Sequence, residues 1–395
     1  MMNKSTMKSD PVLSLVNNSL VIFPIPININ IWWNFGSILG LNLMIQIISG
    51  LLLSMHYCPN INMAFYSVIH IIQDIENGWL LRNIHMNGAS FYFLFMYIHM
   101  ARGIYYYSFK LTRTWAVGVI MYLLSMMTAF VGYILPWGQM SLWGATVITN
   151  LLSTVPYVGL MLVNWLWGGF SVDNPTLNRF YSFHFILPFI IMFMVGVHLY
   201  FLHLTGSNNP LGSWSDLSKI SFHIYFTMKD LIGFLMFMFI LLMVCLSKPY
   251  MFLDPENFIE ANPMVTPKHI QPEWYFLFAY AILRTIPSKF GGVMGLIMSI
   301  MILLVFPTYN NSKFKGFMFY PMSQYLYWMF ISSFLMLTWS GGKPIEYPYF
   351  QISVMYSIMY FMFFIMFNEM MKVWDKIIYM IDQIDPILFW VKNLK

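Results

Sequence analysis

Charge is what this chain has least of. Only 9% of its 395 residues are Asp, Glu, Lys or Arg, against 59% hydrophobic, which lies outside the range of soluble globular chains. The formal net charge is +5, and no nucleic-acid partner is expected. Cysteine is nearly absent. Cys58 and Cys245 form no C-x-x-C pair, no zinc ligand set and no motif for covalent cofactor attachment, so both read as packing or loop residues. A hydrophobic signal core is missing from the polar opening MMNKSTMKSDP, so no cleaved targeting segment is expected. Alanine is scarce while Met (36), Phe (37) and Tyr (25) abound, a bias expected of AT-rich coding in which AUA also specifies Met, as in an organelle genome.

What the chain has is apolar length. A spanning helix needs about 20 apolar residues to cross a hydrocarbon core of about 30 Å. Eight stretches qualify, at 32–53, 79–103, 113–135, 180–204, 228–248, 288–308, 320–340 and 348–368. The expected fold is an all-α polytopic membrane protein with eight transmembrane helices. An N-terminal four-helix bundle occupies 1–212, and a C-terminal transmembrane domain of four helices occupies 213–368. Two shorter apolar runs, 157–170 and 273–286, read as interfacial helices within long loops. The tail 369–395 reads as an amphipathic inner-surface or subunit-contact helix. With eight spans both termini share one face, and that face collects 13 of the 20 basic residues, which makes it the inner one.

The second span reads LLRNIHMNGASFYFLFMYIHMARG and carries His85 and His99, fourteen residues apart; the fourth carries His184 and His198 at the same spacing. Fourteen residues of helix rise about 21 Å and leave the two side chains about 40° apart on one face. The second and fourth spans run parallel, so His85 comes level with His184 and His99 with His198. Each level can supply two axial ligands to one haem iron, an arrangement without an open coordination position that favours electron transfer. A lone intramembrane histidine is more often a hydrogen-bonding bundle residue, but four in register are not lone. His56 and His70 share the spacing by coincidence, since a YCPN turn follows one and the acidic run QDIEN follows the other.

Glycines repeat the interval. Gly36 and Gly50 lie on the first span, and Gly118 and Gly132 on the third. A glycine lets a flat macrocycle approach the backbone where a Cβ would collide, although small residues also serve plain helix packing. Arg82 precedes His85 by three residues and Arg102 follows His99 by three, each directed outward from its histidine level, where a guanidinium can fork onto a haem propionate. Arg179, five before His184, is a third candidate. Interfacial anchoring is the competing role for all three.

These residues, together with RNIHMNGAS, PWGQMSLWGATVITNLL (136–152), TGSNNP (205–210) and PEWYFLFAYAILRTIP (272–287), closely resemble cytochrome b of the mitochondrial and bacterial bc1 complex. The resemblance runs from about residue 10 to about 368. The chloroplast counterpart, split between two chains and with one more residue between its fourth-helix histidines, matches less well. The resemblance implies two non-covalent b-type haems and two sites for ubiquinol or ubiquinone. Quinol oxidised at an outer site would give one electron to a Rieske iron–sulfur protein and the other, through the haems, to quinone at an inner site, coupled to proton translocation. It implies cytochrome c1 and other complex III subunits as partners, a homodimeric complex, and the mitochondrial inner membrane with both termini in the matrix.

For the outer site the resemblance implicates Pro272, Glu273, Trp274 and Tyr275, with Tyr133, Gly144 and Tyr280 lining the pocket. Quinol oxidation releases protons, and a desolvated Glu273 is suited to accept one. For the inner site it implicates His203 and Asp230, with Ser207 and Lys229 adjacent; there His203 donates near neutral pH and Asp230 relays or accepts. A helix-capping role for Asp230 and aromatic-belt roles for the tyrosines are the simpler alternatives. Leu204 stands where the family often has an acidic residue, and Tyr107 where it commonly has glycine. A dihaem anchor for a dehydrogenase would account for the histidines but not for PEWY. A transporter would account for intramembrane His and Arg but not for their register.

Overall fold

In a lipid phase the backbone must satisfy its own hydrogen bonds, so long apolar runs become helices. The computed structural model describes residues 10–309 and 312–393, with Tyr309 and the residues after Met380 as backbone alone. Thirteen α-helices follow one another among the described residues: α1 (Pro11–Val16), α2 (Asn34–Ser54), α3 (Ala64–Gln73), α4 (Gly78–Tyr105), α5 (Thr112–Ile134), α6 (Gln139–Asn150), α7 (Gly159–Trp167), α8 (Asn174–Thr205), α9 (Tyr225–Ser247), α10 (Leu277–Thr285), α11 (Lys289–Val305), α12 (Pro321–Gly341) and α13 (Tyr349–Asn393).

The eight expected spans are α2, α4, α5, α8, α9, α11, α12 and α13. Six of them are long and apolar enough to cross a membrane on length and composition; α4 and α12 fall short. The reason lies in their surroundings. α4 buries Asn83, Asn87 and Ser90, and α12 buries Ser323, Ser333 and Ser340, so their polar side chains meet protein rather than lipid. α8 shows the opposite pattern, with Phe183, Phe185, Ile186, Ile190 and Phe193 exposed along its length. A capping box starts it: the Asp173 side chain accepts from the Asn174 N–H at 2.8 Å, while the Asp173 N–H donates to Thr176 Oγ1 at 3.2 Å.

Three features lie outside the sequence reading. The 273–286 run is more than a surface helix: α10 is wedged against α11, α12 and α13, with Phe278, Ala279, Ala281 and Ile282 buried. α3 and α6 are helices inside segments read as loops, and His70 sits on the last turn of α3, paired at the surface with Asp74 at 2.8 Å. The fold is all-α as expected, and among the described residues a two-stranded antiparallel ribbon joins β1 (Pro24–Pro26) to β2 (Lys219–Ser221). It fastens the lead-in of α2 to the lead-in of α9.

The tail continues the eighth span without a break, making α13 a 45-residue helix. Its inner stretch is anchored: the Tyr320 hydroxyl donates to the buried Asp375 carboxylate at 2.9 Å, and the Lys313 ammonium lies 3.7 Å from the Tyr379 ring centre. Beside it, Tyr107 adopts a left-handed backbone with φ of 61°, which accounts for glycine being the easier residue there. Its ring is enclosed by Phe109, Phe317, Tyr320 and Phe367, and its hydroxyl meets Met371 Sδ at 2.7 Å. One apolar cluster takes in Phe93 of α4, Trp115 and Tyr122 of α5, Phe278 of α10, Phe330 of α12 and Phe363 of α13, so the early and late helices share an interior.

Candidate functional site

α2 packs on α4, and α5 on α8. Because α4 and α8 run side by side in the same direction, their histidines meet in pairs. The His85 and His184 rings, here called the upper level, have centroids 6.1 Å apart at 87°. His99 and His198, the lower level, are 6.5 Å apart at 56°. Two imidazoles on opposite sides of one metal, each bonded over roughly 2 Å with its ring centre about 1 Å further back, put the centroids about 6 Å apart. Both levels therefore fit a single iron between them.

Each of the four glycines faces one of these rings. A Cβ at Gly50 would lie 2.9 Å from His85 Cε1, and at Gly132 2.4 Å from His184 Cε1. At Gly36 the distance to His99 Cε1 would be 3.1 Å, and at Gly118 that to His198 Cε1 3.3 Å. The missing methyl thus clears the imidazole edge.

The second ring nitrogens are held differently. His184 Nδ1 donates to the Thr128 carbonyl at 2.9 Å, and His85 Nδ1 lies 2.9 Å from Ser49 Oγ. His99 Nδ1 lies 3.2 Å from an Arg102 guanidinium nitrogen, and the His198 ring faces the Thr114 backbone without a well-formed hydrogen bond at Nδ1 among the described residues.

Arg82 borders a cavity of about 240 Å³ that His85, His184, Gly50 and Gly132 also line. Arg102 stands over the Trp33 ring at 5.0 Å, with its buried Nε unpartnered among the described residues. Arg179 departs from expectation. Five residues before His184 is a rotation of about 140°, so its guanidinium turns to the far side of α8 and donates to the Trp165 and Leu166 carbonyls.

Tyr133, Glu273 and Tyr275 line the same cavity as the upper histidines. The segment that carries Glu273 is stapled to one face of α4. The Trp274 indole N–H donates to Ser90 Oγ at 3.2 Å, Tyr275 stacks on Phe93 at 4.2 Å and 6°, and the Tyr97 hydroxyl donates to the Tyr275 carbonyl. Burial first, then repulsion from Asp254, push the Glu273 carboxyl up to about 8, while Arg82 pulls it down. A carboxyl titrating there can take up a proton and release it near neutral pH. Pro272, Gly144 and Tyr280 do not border this cavity: Gly144 faces open space on α6, and Tyr280 on α10 donates to the Ile270 carbonyl at 3.3 Å.

The remaining candidates gather at the other end of the bundle. His203, near the end of α8, stacks on Phe23 at 4.1 Å. Lys229, at the start of α9, donates to the Ile29 carbonyl at 3.0 Å, and its own carbonyl accepts from Asn34 at 3.0 Å. Asp230 is its neighbour, and Ser207 lies in the turn after α8, where Asn208 donates to the Tyr106 carbonyl.

Sequence reasoning missed Ser49, Thr128, Asp254 and Asn257. Asn257 lines the cavity, and its side-chain oxygen accepts from both the N–H and the hydroxyl of Ser141, each at 3.0 Å, tying α6 to the loop before Glu273. Ser49 was findable, since it directly precedes Gly50 on the face that meets His85.

Residues 20–206 match the family model for cytochrome b/b6/petB, and residues 260–361 match that for the C-terminal part of cytochrome b/b6/petD. A chain of a solved hyperthermophilic respiratory Complex III superposes with a TM-score of 0.87 and is 32% identical, over 93% of this chain and 98% of that one.

Proposed function

The chain belongs to the cytochrome b family, and from that premise we propose that it is the quinol-oxidising, quinone-reducing subunit of a bc1-type respiratory complex III. The observation that carries this reading is the meeting of four histidines in two facing pairs whose ring separations of 6.1 and 6.5 Å suit one iron each. His85 with His184 holds one b-type haem and His99 with His198 the other, while Arg82 and Arg102 are placed to pair with propionates. Bound there, the two haems supply a one-electron path between the faces of the membrane.

The protein's own residues manage substrate and protons. Tyr133, Glu273 and Tyr275, sharing a cavity with the upper histidines, form the outer quinol site. Ionised Glu273 accepts a quinol proton, and its position beside Arg82 keeps the charged form accessible. Pro272 and Trp274 hold the segment in place, and Gly144 and Tyr280 act from its flanks. At the opposite end His203 and Asp230 deliver protons to quinone, with Ser207 and Lys229 beside them.

A Rieske protein takes the other electron, and cytochrome c1, further subunits and a second copy of the complex complete the assembly. The Met-, Phe- and Tyr-rich composition and the basic inner face support a mitochondrial inner membrane location with both termini in the matrix. Two measurements on the assembled complex test the reading: a reduced-minus-oxidised spectrum, expected to show two b-type low-spin centres, and quinol:cytochrome c reductase activity. Haems without activity would favour a dehydrogenase anchor, and the absence of b-type bands would overturn the assignment.

A further inference from the structure

The two levels differ most on α2. Fourteen residues apart, the residue preceding the level's glycine is Ser49 at the upper level and Phe35 at the lower. On α5 the corresponding residues are both valine, Val131 and Val117. The difference has a chemical consequence. A histidine binding a metal through Nε2 must carry its proton on Nδ1, and the group accepting that proton's hydrogen bond fixes the ring's tautomer, its rotation and its donor strength.

Ser49 is buried, and its hydroxyl donates to the Ile45 carbonyl at 2.6 Å. With its one hydrogen so committed, Ser49 Oγ accepts from the His85 nitrogen 2.9 Å away, beside the Gln46 carbonyl that the same ring also meets. We infer that Ser49 is a positioning residue for the upper haem ligand, holding His85 in the Nδ1–H tautomer and raising the donor strength of its Nε2. The lower level has no counterpart: Phe35 offers no acceptor, and the guanidinium beside His99 Nδ1 has only donors.

A stronger imidazole donor stabilises the ferric state, so this hydrogen bond lowers the potential of the upper haem alone. The inference rests on the haem assignment proposed above, and the two fail separately, because the assignment is judged by the haem content and spin state of the unsubstituted complex. The test is a redox titration, with low-temperature electron paramagnetic resonance, of complexes carrying Ser49→Ala, Ser49→Thr and Ser49→Cys. Ser49→Ala should keep both haems and raise the upper midpoint. A three- to tenfold change in the reduction equilibrium is expected, or about 30 to 59 mV for a one-electron couple. Its g-values should shift while the lower centre stays unchanged, and Ser49→Thr, which retains the hydroxyl, should restore the original potential. If Ser49→Ala loses the upper haem, Ser49→Cys, with a weaker acceptor of similar size, should show the upward shift in reduced form. Unchanged potentials and g-values in the variants that retain haem, or equal shifts of both centres, would overturn the inference.

Discussion

A methyl added at Gly132 or Gly50 would sit 2.4 or 2.9 Å from an imidazole carbon of the upper level, whereas at Gly36 or Gly118 the lower level leaves 3.1 or 3.3 Å. At the upper level both Nδ1 atoms meet an oxygen at 2.9 Å; at the lower, one meets a guanidinium and the other faces the Thr114 backbone without a well-formed hydrogen bond among the described residues. Equal spacing along the helices thus sets where the rings meet, but the neighbours on α2 and α5 decide how firmly each is held. The tighter pair is the one that shares a cavity with Glu273.

The largest test of that contrast removes one ligand at a time. His184→Ala should lose only the upper haem and His198→Ala only the lower, with quinol:cytochrome c reductase activity abolished in both. Pyridine haemochrome quantitation checks this, and retention of both haems in either variant would break the level assignment.

Next comes Glu273→Gln, which acts at the upper end alone. Quinol oxidation should fall about 10²-fold with both haems retained. The base must be ionised to act, so with Glu273 at about 8 the rate of the unsubstituted enzyme should climb as pH rises through that value. In the variant this limb should vanish, as a pH–rate profile would reveal.

Glycine substitutions sharpen the comparison. Gly132→Ala forces the His184 ring to move, at a cost of about 1–3 kcal/mol, and should reduce upper-haem occupancy. Gly118→Ala, whose Cβ at 3.3 Å from His198 Cε1 asks the ring to give by only a few tenths of an ångström, should leave the lower haem in place. Equal haem loss in the two would erase the distinction. The smallest effect is expected from Tyr97→Phe, which deletes the bond to the Tyr275 carbonyl between the levels. Thermal denaturation should show a loss of about 1 kcal/mol with both spectra unchanged.

The eight long helices and the four histidines were legible because their cause is local: apolar length makes a span, and a fourteen-residue interval brings side chains to one face. Arg179 was misread for want of the same arithmetic, since five residues point elsewhere on α8. The wedged position of α10 and the ribbon between Pro24–Pro26 and Lys219–Ser221 were not legible, because both depend on partners distant in the chain. The unbroken run of α13 past residue 369 was hidden by the change from apolar to charged composition, which ends a membrane span without ending a helix. Asn257 and Ser49 carry no pattern of their own and acquire meaning only from the atoms beside them.

The fourteen-residue interval is also an electrical dimension. At 1.5 Å per residue the two histidine levels stand about 21 Å apart in a hydrocarbon layer of about 30 Å, roughly seven-tenths of the insulating thickness. A unit charge moved between them works against that share of the membrane voltage, about 1.6 kcal/mol per 100 mV. Helix pitch, counted in amino acids, therefore sets how strongly a charged membrane can hold this protein's chemistry back.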